Sequence, residues 1–153
     1  MTDAADTPNA DPHGHHPASA DGPAKPYVRV RDVMSPNPIV VDGLATVAQA
    51  VRLLRDNKIS SLVVDKRYDG DEFGLLAIHD IAEKIVAEDR PPDRVNVYEI
   101  MNKPAVTVHA DMNVKYAVRL LMRFRLTRAL VLDAGKVAGI VTLRDLTLRS
   151  IAG

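Results

Sequence analysis

The chain has 153 residues, 20 Lys and Arg against 20 Asp and Glu, and 46% hydrophobic residues, which suits one domain or two small fused ones. It has no cysteine, excluding disulfides and thiolate metal sites, and no apolar run near the roughly 20 residues that a membrane helix needs. The zero net charge hides an imbalance: residues 1–22 hold Asp3, Asp6, Asp11 and Asp21 and no Lys or Arg, so the rest carries an excess of four bases.

Taken in chain order, residues 1–25 are rich in Ala, Asp, Pro and His and lack a periodic apolar face. Such a segment cannot bury enough surface to offset the entropy of ordering, which predicts a disordered tail. Its lack of an apolar stretch speaks against a secretory signal and predicts a cytoplasmic protein. His13, His15 and His16 lie in this tail. They could hold a divalent metal only weakly, because nothing nearby would orient the rings, and a solvated tail is the favoured reading.

A short strand is predicted at "PIVV" (38–41), then a helix capped by Thr46, whose hydroxyl can bond the free amides of a first turn. Val47, Ala50, Val51 and Leu54 recur at helical spacing and form one apolar stripe. "SLVVD" and "FGLLAI" follow as a hairpin of strands, and a last short helix is predicted after Asp80.

The same order then repeats. "AVRLL" occurs at 50–54 and again at 117–121, and a shift of 67 also superimposes Met34 on Met101, Val47 on Val114 and Val64 on Val131. "AVTV" (105–108) is the second copy's first strand, Asn113 its helix cap, and "ALVLD" with "VAGIVTL" its hairpin. Near each end "GLLAIHDI" (74–81) matches "GIVTLRDL" (139–146) at an offset of 65, the difference falling in a turn. The predicted fold is α+β, of α/β type: a β-α-β-β-α unit used twice, 26–90 and 91–153, and packed by pseudo-two-fold symmetry. The repeated stripe is expected to serve as core and as the interface between the copies.

Two such units, opening on Asp32-Val33-Met34 and Glu99-Ile100-Met101 and closing on Gly-h-h-[Ser/Thr]-x-x-Asp (h is apolar), resemble tandem CBS domains, a pair often called a Bateman module. The likeness covers about residues 28–151. It implies two related clefts between the units that take adenosine-containing ligands: AMP, ADP or ATP, S-adenosylmethionine, or NAD-type molecules. Carried over residue by residue, it places Thr142, Arg144 and Asp145 at the ribose and phosphate of one cleft, with Met34, Ile39, Ile59 and Ser60 on its adenine side. The second cleft would use Ala77, His79 and Asp80 with Met101, Val106, Leu126 and Thr127, and with Arg128 near phosphates. Elementary chemistry agrees, because an ionised carboxylate accepts from both hydroxyls of a ribose and a helix start offers amides to anions.

Plainer readings stand beside these. Thr142-x-x-Asp145 is also a capping box. Ala77 replaces the hydroxyl residue in the first copy, so the second cleft is expected to be weak or empty. The basic run Lys115, Arg119, Arg123, Arg125 and Arg128 reads first as a solvated helix face and next as a phosphate-attracting wall. Nucleic acid comes last, since the few aromatics form no stacking platform. No phosphate-loop or dinucleotide motif and no metal-ligand spacing occurs, which predicts a non-enzyme with no required cofactor and no metal. The expectation is a stand-alone sensor that binds an adenosine nucleotide and relays this to an unidentified protein effector, as a homodimer paired through its apolar helices. The alternative is a ligand-free dimerisation scaffold.

Overall fold

The computed structural model describes residues 27–152; the tail expected at 1–25, with its three histidines, lies outside them. The elements run β1 (Ser35–Pro36), β2 (Val40–Val41), α1 (Val47–Asn57), β3 (Ser61–Val64), β4 (Gly74–Ala77) and α2 (Ile78–Ile81). A π-helical turn, Ala82–Val86, continues α2, and two 3-10 turns follow. The second half is β5 (Thr107–His109), α3 (Val114–Phe124), β6 (Arg128–Asp133), β7 (Lys136–Thr142) and α4 (Leu143–Ala152). No helix among the described residues is long and apolar enough to cross a membrane.

Local chemistry accounts for the main helices. The Thr46 hydroxyl accepts from the Gln49 amide at 3.1 Å and the Gln49 side chain accepts from the Thr46 amide at 2.9 Å, a reciprocal cap for α1. Asn113 caps α3 by accepting from the Lys115 amide at 2.9 Å. Both helices stop on a left-handed residue, Lys58 and Arg125, each at φ 55°. The shared pentapeptide buries Ala50 and Leu54 in one half and Ala117 and Leu121 in the other. The last helices open at Ile78 and Leu143, two residues before Asp80 and Asp145 rather than after them. Each aspartate therefore sits at the third helical position, where its carboxylate can reach back to the cap.

The strands form two sheets, β2-β3-β4 and β1-β7-β6-β5, each with one parallel pair wrapped around a main helix and one antiparallel hairpin. The stripes of α1 and α3 fill two separate cores, one in each half. The contact between the halves is made by the strands instead. Val63, Leu75, Leu130 and Ile140 form a third apolar cluster, and the repeat offsets relate Val63 to Leu130 and Leu75 to Ile140. The expectation that the helical stripe forms this interface is thus corrected. The stripe is spent on each half's own core, and the sheet faces left over provide the pseudo-symmetric contact.

Each copy's opening segment crosses to the other half. Val28, Val30, Val33 and Met34 pack in the core around α3, and β1 pairs antiparallel with β7. Reciprocally, Val97, Ile100 and Met101 pack in the core around α1, and Asn102 bridges Leu75 of β4. The closing glycines make room for this exchange. A Cβ on Gly139 would lie 2.6 Å from the Ser35 carbonyl oxygen and 2.8 Å from the Met34 sulfur; one on Gly74 would lie 2.7 Å from the Met101 sulfur. The "M" and "G" of the two copies are therefore contact partners across the pair.

Lys103 adds a polar tie, donating to Asp71 in the β3–β4 loop at 2.7 Å. The Lys103 ammonium, and after it the Arg67 amide, hold the Asp71 carboxyl well below the usual carboxylate range.

Gly139→Ala is expected to lower stability by about 1–3 kcal/mol, since a backbone carbonyl cannot give way, and Gly74→Ala by less, since a methionine sulfur can; urea midpoints compare the two. Because the carboxyl of Asp71 is depressed, its contribution is present above the unfolded value of about 3.9 and is lost as pH falls below it. Lys103→Met should therefore cost stability at neutral pH and flatten the loss between about pH 5 and pH 2, read from denaturation midpoints across that range.

Candidate functional site

A cleft of about 700 Å³ opens where the two halves meet. One wall comes from the first half: Ile39 beside β2, the Lys58–Ile59–Ser60 segment leaving α1, Ser61 of β3 and Ile78 of α2. The other comes from the second half: Ile140 and Thr142 of β7, Arg128 of β6 and Asp145 of α4. Thr142 ends a strand and caps the ten-residue helix that follows, its hydroxyl accepting from the Asp145 amide at 3.1 Å. Strand end, hydroxyl and helix N-terminus thus converge at one place.

Of the residues expected in this cleft, Thr142, Asp145, Ile39, Ile59 and Ser60 line it. Met34 does not: its sulfur lies against Gly139 and the residue packs on the second core. Arg144 is exposed beside the mouth, its guanidinium 3.6 Å from Asp145 Oδ1. Arg128, assigned to the other cleft on sequence grounds, lines this one. The strand register explains the correction, because Arg128 pairs directly with Thr142 across β6 and β7.

Arg128 is the main electrostatic feature. Its Nη1 donates to the Ser60 hydroxyl at 3.2 Å, whereas its Nε is buried without a hydrogen-bond partner. Burial pushes the guanidinium pKa down and the charge of Asp80 pushes it back up. An orphaned donor on a charged group is costly. Lys58 adds a second cation to the lining. The Asp145 carboxylate accepts no hydrogen bond from the described residues, and its side chain is 43% exposed. The wall from the second half thus carries both an acceptor without a hydrogen bond and an under-satisfied cation.

The pseudo-symmetric set is arranged differently. Asp80 is buried, its Oδ2 accepting from the Ala77 amide at 2.8 Å and its Oδ1 from the Asn102 side-chain amide at 3.0 Å. Both carboxylate oxygens are occupied by the protein. His79 points to solvent and lies 3.4 Å from Glu83, one turn on. Met101 presses on Gly74, and Val106 and Leu126 pack on the second core. Thr127 is exposed, its carbonyl accepting from the Leu143 amide at 2.8 Å. Two pairs of repeat mates differ here: Thr142, whose hydroxyl accepts from the Asp145 amide, stands where the first copy has Ala77. Asn102 stands where the first copy has Ser35, and only the longer amide reaches the aspartate.

Asn37, Lys58, Ser61, Ile78 and Ile140 line the cleft without having been singled out in the sequence. Ser61 was reachable as the repeat mate of Arg128. Asn37 and Lys58 adopt left-handed backbone, φ 56° and 55°, a conformation that asparagine tolerates well. Among the described residues no three His, Asp or Glu side chains group as metal ligands.

Comparison with known proteins agrees with this architecture. The CBS domain family model matches residues 30–87 and 97–151. An uncharacterized protein of Methanopyrus kandleri is 32% identical over 117 residues, 76% of this chain and 57% of that protein, so the chain spans little more than half of this relative. The hexameric CBS-CP12 protein from bloom-forming cyanobacteria is 34% identical at a TM-score of 0.77, the match covering 80% of this chain and 71% of that one. A CBS domain pair solved with 5′-methylthioadenosine and S-adenosyl-L-methionine is 25% identical at a TM-score of 0.70, covering 84% and 98% of the two chains. The exchanged halves, the cleft between them and these matches have one reading: the chain belongs to the CBS domain family, of which it carries two copies.

Proposed function

We propose that this chain is a regulatory module, not an enzyme, which binds one adenosine-type ligand in the cleft at Thr142 and Asp145 and relays its occupancy to a partner protein. The observation that carries the reading is that the Asp145 carboxylate, which accepts no hydrogen bond from the described residues, and the Arg128 side chain line the same cleft of roughly 700 Å³. A carboxylate that accepts no hydrogen bond from the described residues suits the paired hydroxyls of a ribose. Ile39, Ile59 and Ile78 offer the flat apolar wall that a base needs. The methylthioadenosine and S-adenosylmethionine bound by the related CBS pair support the adenosyl class. Arg128 and Lys58 favour a ligand with an anionic group over a cationic one, which points to a nucleotide. Asp80, with both oxygens engaged, favours one ligand per chain.

The relay has a structural basis. An apolar groove of about 330 Å³ lies between α1 and the α2 region, and it shares Lys58, Ile59 and Ile78 with the cleft. A second copy seated there would touch the same side chains as the ligand, and ligand binding would then favour one arrangement of the dimer over another. The oligomeric CBS-CP12 relative supports such pairing. The same groove favours the second reading, a dimerisation scaffold that needs no ligand.

A thermal-melt screen with AMP, ADP, ATP, NAD and S-adenosylmethionine separates the two. A ligand at about 100 times its Kd stabilises by about 2.7 kcal/mol, whereas a scaffold gives flat melts throughout. Asp145→Ala should weaken nucleotide binding at least roughly tenfold in calorimetry, from the loss of charge-assisted bonds of about 1.5–3 kcal/mol. Equal affinity for variant and parent would refute the assignment. Asp80→Ala, which strands the Ala77 and Asn102 amides, should cost about 1–3 kcal/mol of stability and leave the stoichiometry at one.

A further inference from the structure

The two main helices are the same element built twice, and their outward faces differ. Both share the pentapeptide, a polar N-cap and a left-handed stop. Where α1 has Ala48, Gln49 and Asp56, α3 has Lys115, Tyr116 and Arg123. Together with Arg119, these place three cations at four-residue spacing along one side of α3, a helix with no acid. None of the three has a carboxylate partner among the described residues. In α1 the corresponding acid is kept, and Arg55 lies 3.6 Å from Asp56. The Tyr116 ring is flanked by Lys115 and Arg119, each 5.4 Å from its centroid. Tyr116, Arg119, Leu120 and Arg123 line a shallow groove of about 330 Å³.

The charge that complements this face lies in the same chain. Residues 1–22 carry four aspartates, no Lys or Arg, and small Ala and Pro residues between them. The fold is entered beside α3: the Val114 amide, first of that helix, donates to the Val28 carbonyl at 3.0 Å, and the Tyr27 hydroxyl donates to the Asp111 carbonyl at 3.1 Å. An eleven-residue helix is about 16 Å long, well within the reach of a 22-residue segment at roughly 3.3 Å per residue.

We propose that the acidic segment 1–22 docks on the basic face of α3 formed by Lys115, Tyr116, Arg119 and Arg123. Exposed ion pairs are individually weak, but tethering makes the encounter intramolecular and raises the effective concentration of the aspartates. The small Ala and Pro side chains suit a shallow groove. An acidic partner must then displace the segment to reach this face. This inference is independent of the ligand cleft.

The absence of cysteine makes the test direct, since Ala10→Cys in the full chain gives a single site for a nitroxide label. Paramagnetic broadening of backbone amides should be at least twofold stronger along α3 than along α1 at low salt, and should fade near 1 M salt, where the screening length is about 3 Å. The same label in Lys115→Gln/Arg119→Gln/Arg123→Gln should give no preference for α3, with the melting temperature unchanged. Equal broadening of both helices, or a preference that survives the triple substitution, would overturn the proposal. So would broadening seen only between a labelled chain and a second, isotope-enriched copy, which would assign the face to self-association. Tight binding of a short oligonucleotide through the three cations, with no α3 broadening, would assign it to nucleic acid and equally overturn the proposal.

Discussion

The structure depends on a reciprocal close approach: the methionine that opens each repeat lies against the glycine that opens the closing motif of the other. Met34 with Gly139 and Met101 with Gly74 bring a side chain to within a Cβ's width of a strand. This seats Val30 and Val33 in one core and Val97 and Ile100 in the other. The halves are thus joined by exchanged segments as well as by the strand cluster of Val63, Leu75, Leu130 and Ile140. The cleft is the space left where the exchanged segments turn back into their own halves, which is why its lining draws on both.

Symmetry of backbone does not bring symmetry of chemistry. Asp80 and Asp145 occupy the same helical position in the same motif. One is buried between a backbone amide and Asn102, while the other leaves its carboxylate open to the cleft. The neighbours differ, Asn102 against Ser35 and Ala77 against Thr142, and so do the groups that each carboxylate meets. Arg128 is a second asymmetry. Its repeat mate is Ser61, so one large cation stands near the junction of the halves where a symmetric protein would have two or none. Its burial with an unpaired Nε is a stability cost of the kind that functional sites retain.

Much of this was legible in the residues alone. Two copies of a 3.6-residue stripe, capped by Thr46 and Asn113 and followed by β-branched pairs, specify helix and hairpin through local rules that need no tertiary knowledge. The cleft residues Thr142, Asp145, Ile39, Ile59 and Ser60 followed from the resemblance to tandem CBS domains, carried over residue by residue. What stayed hidden was the choice of long-range partner. Nothing local in Asp32-Val33-Met34 states that it serves the distant core, and nothing in the Arg128 neighbourhood reveals its register against Thr142. The reach of Asn102 to Asp80 likewise depends on which sheet edge that segment joins.

The exchange is unequal along the chain, and this bears on how the molecule is made. The core around α1 is assembled from residues 39–101, one continuous stretch. The core around α3 needs Val28, Val30, Val33 and Met34 from far upstream. During synthesis these apolar residues leave the ribosome first, yet their docking site is complete only when β7 and α4 have emerged. The opening segment can therefore reach its place in that core only after the last strand and helix of the chain have been made.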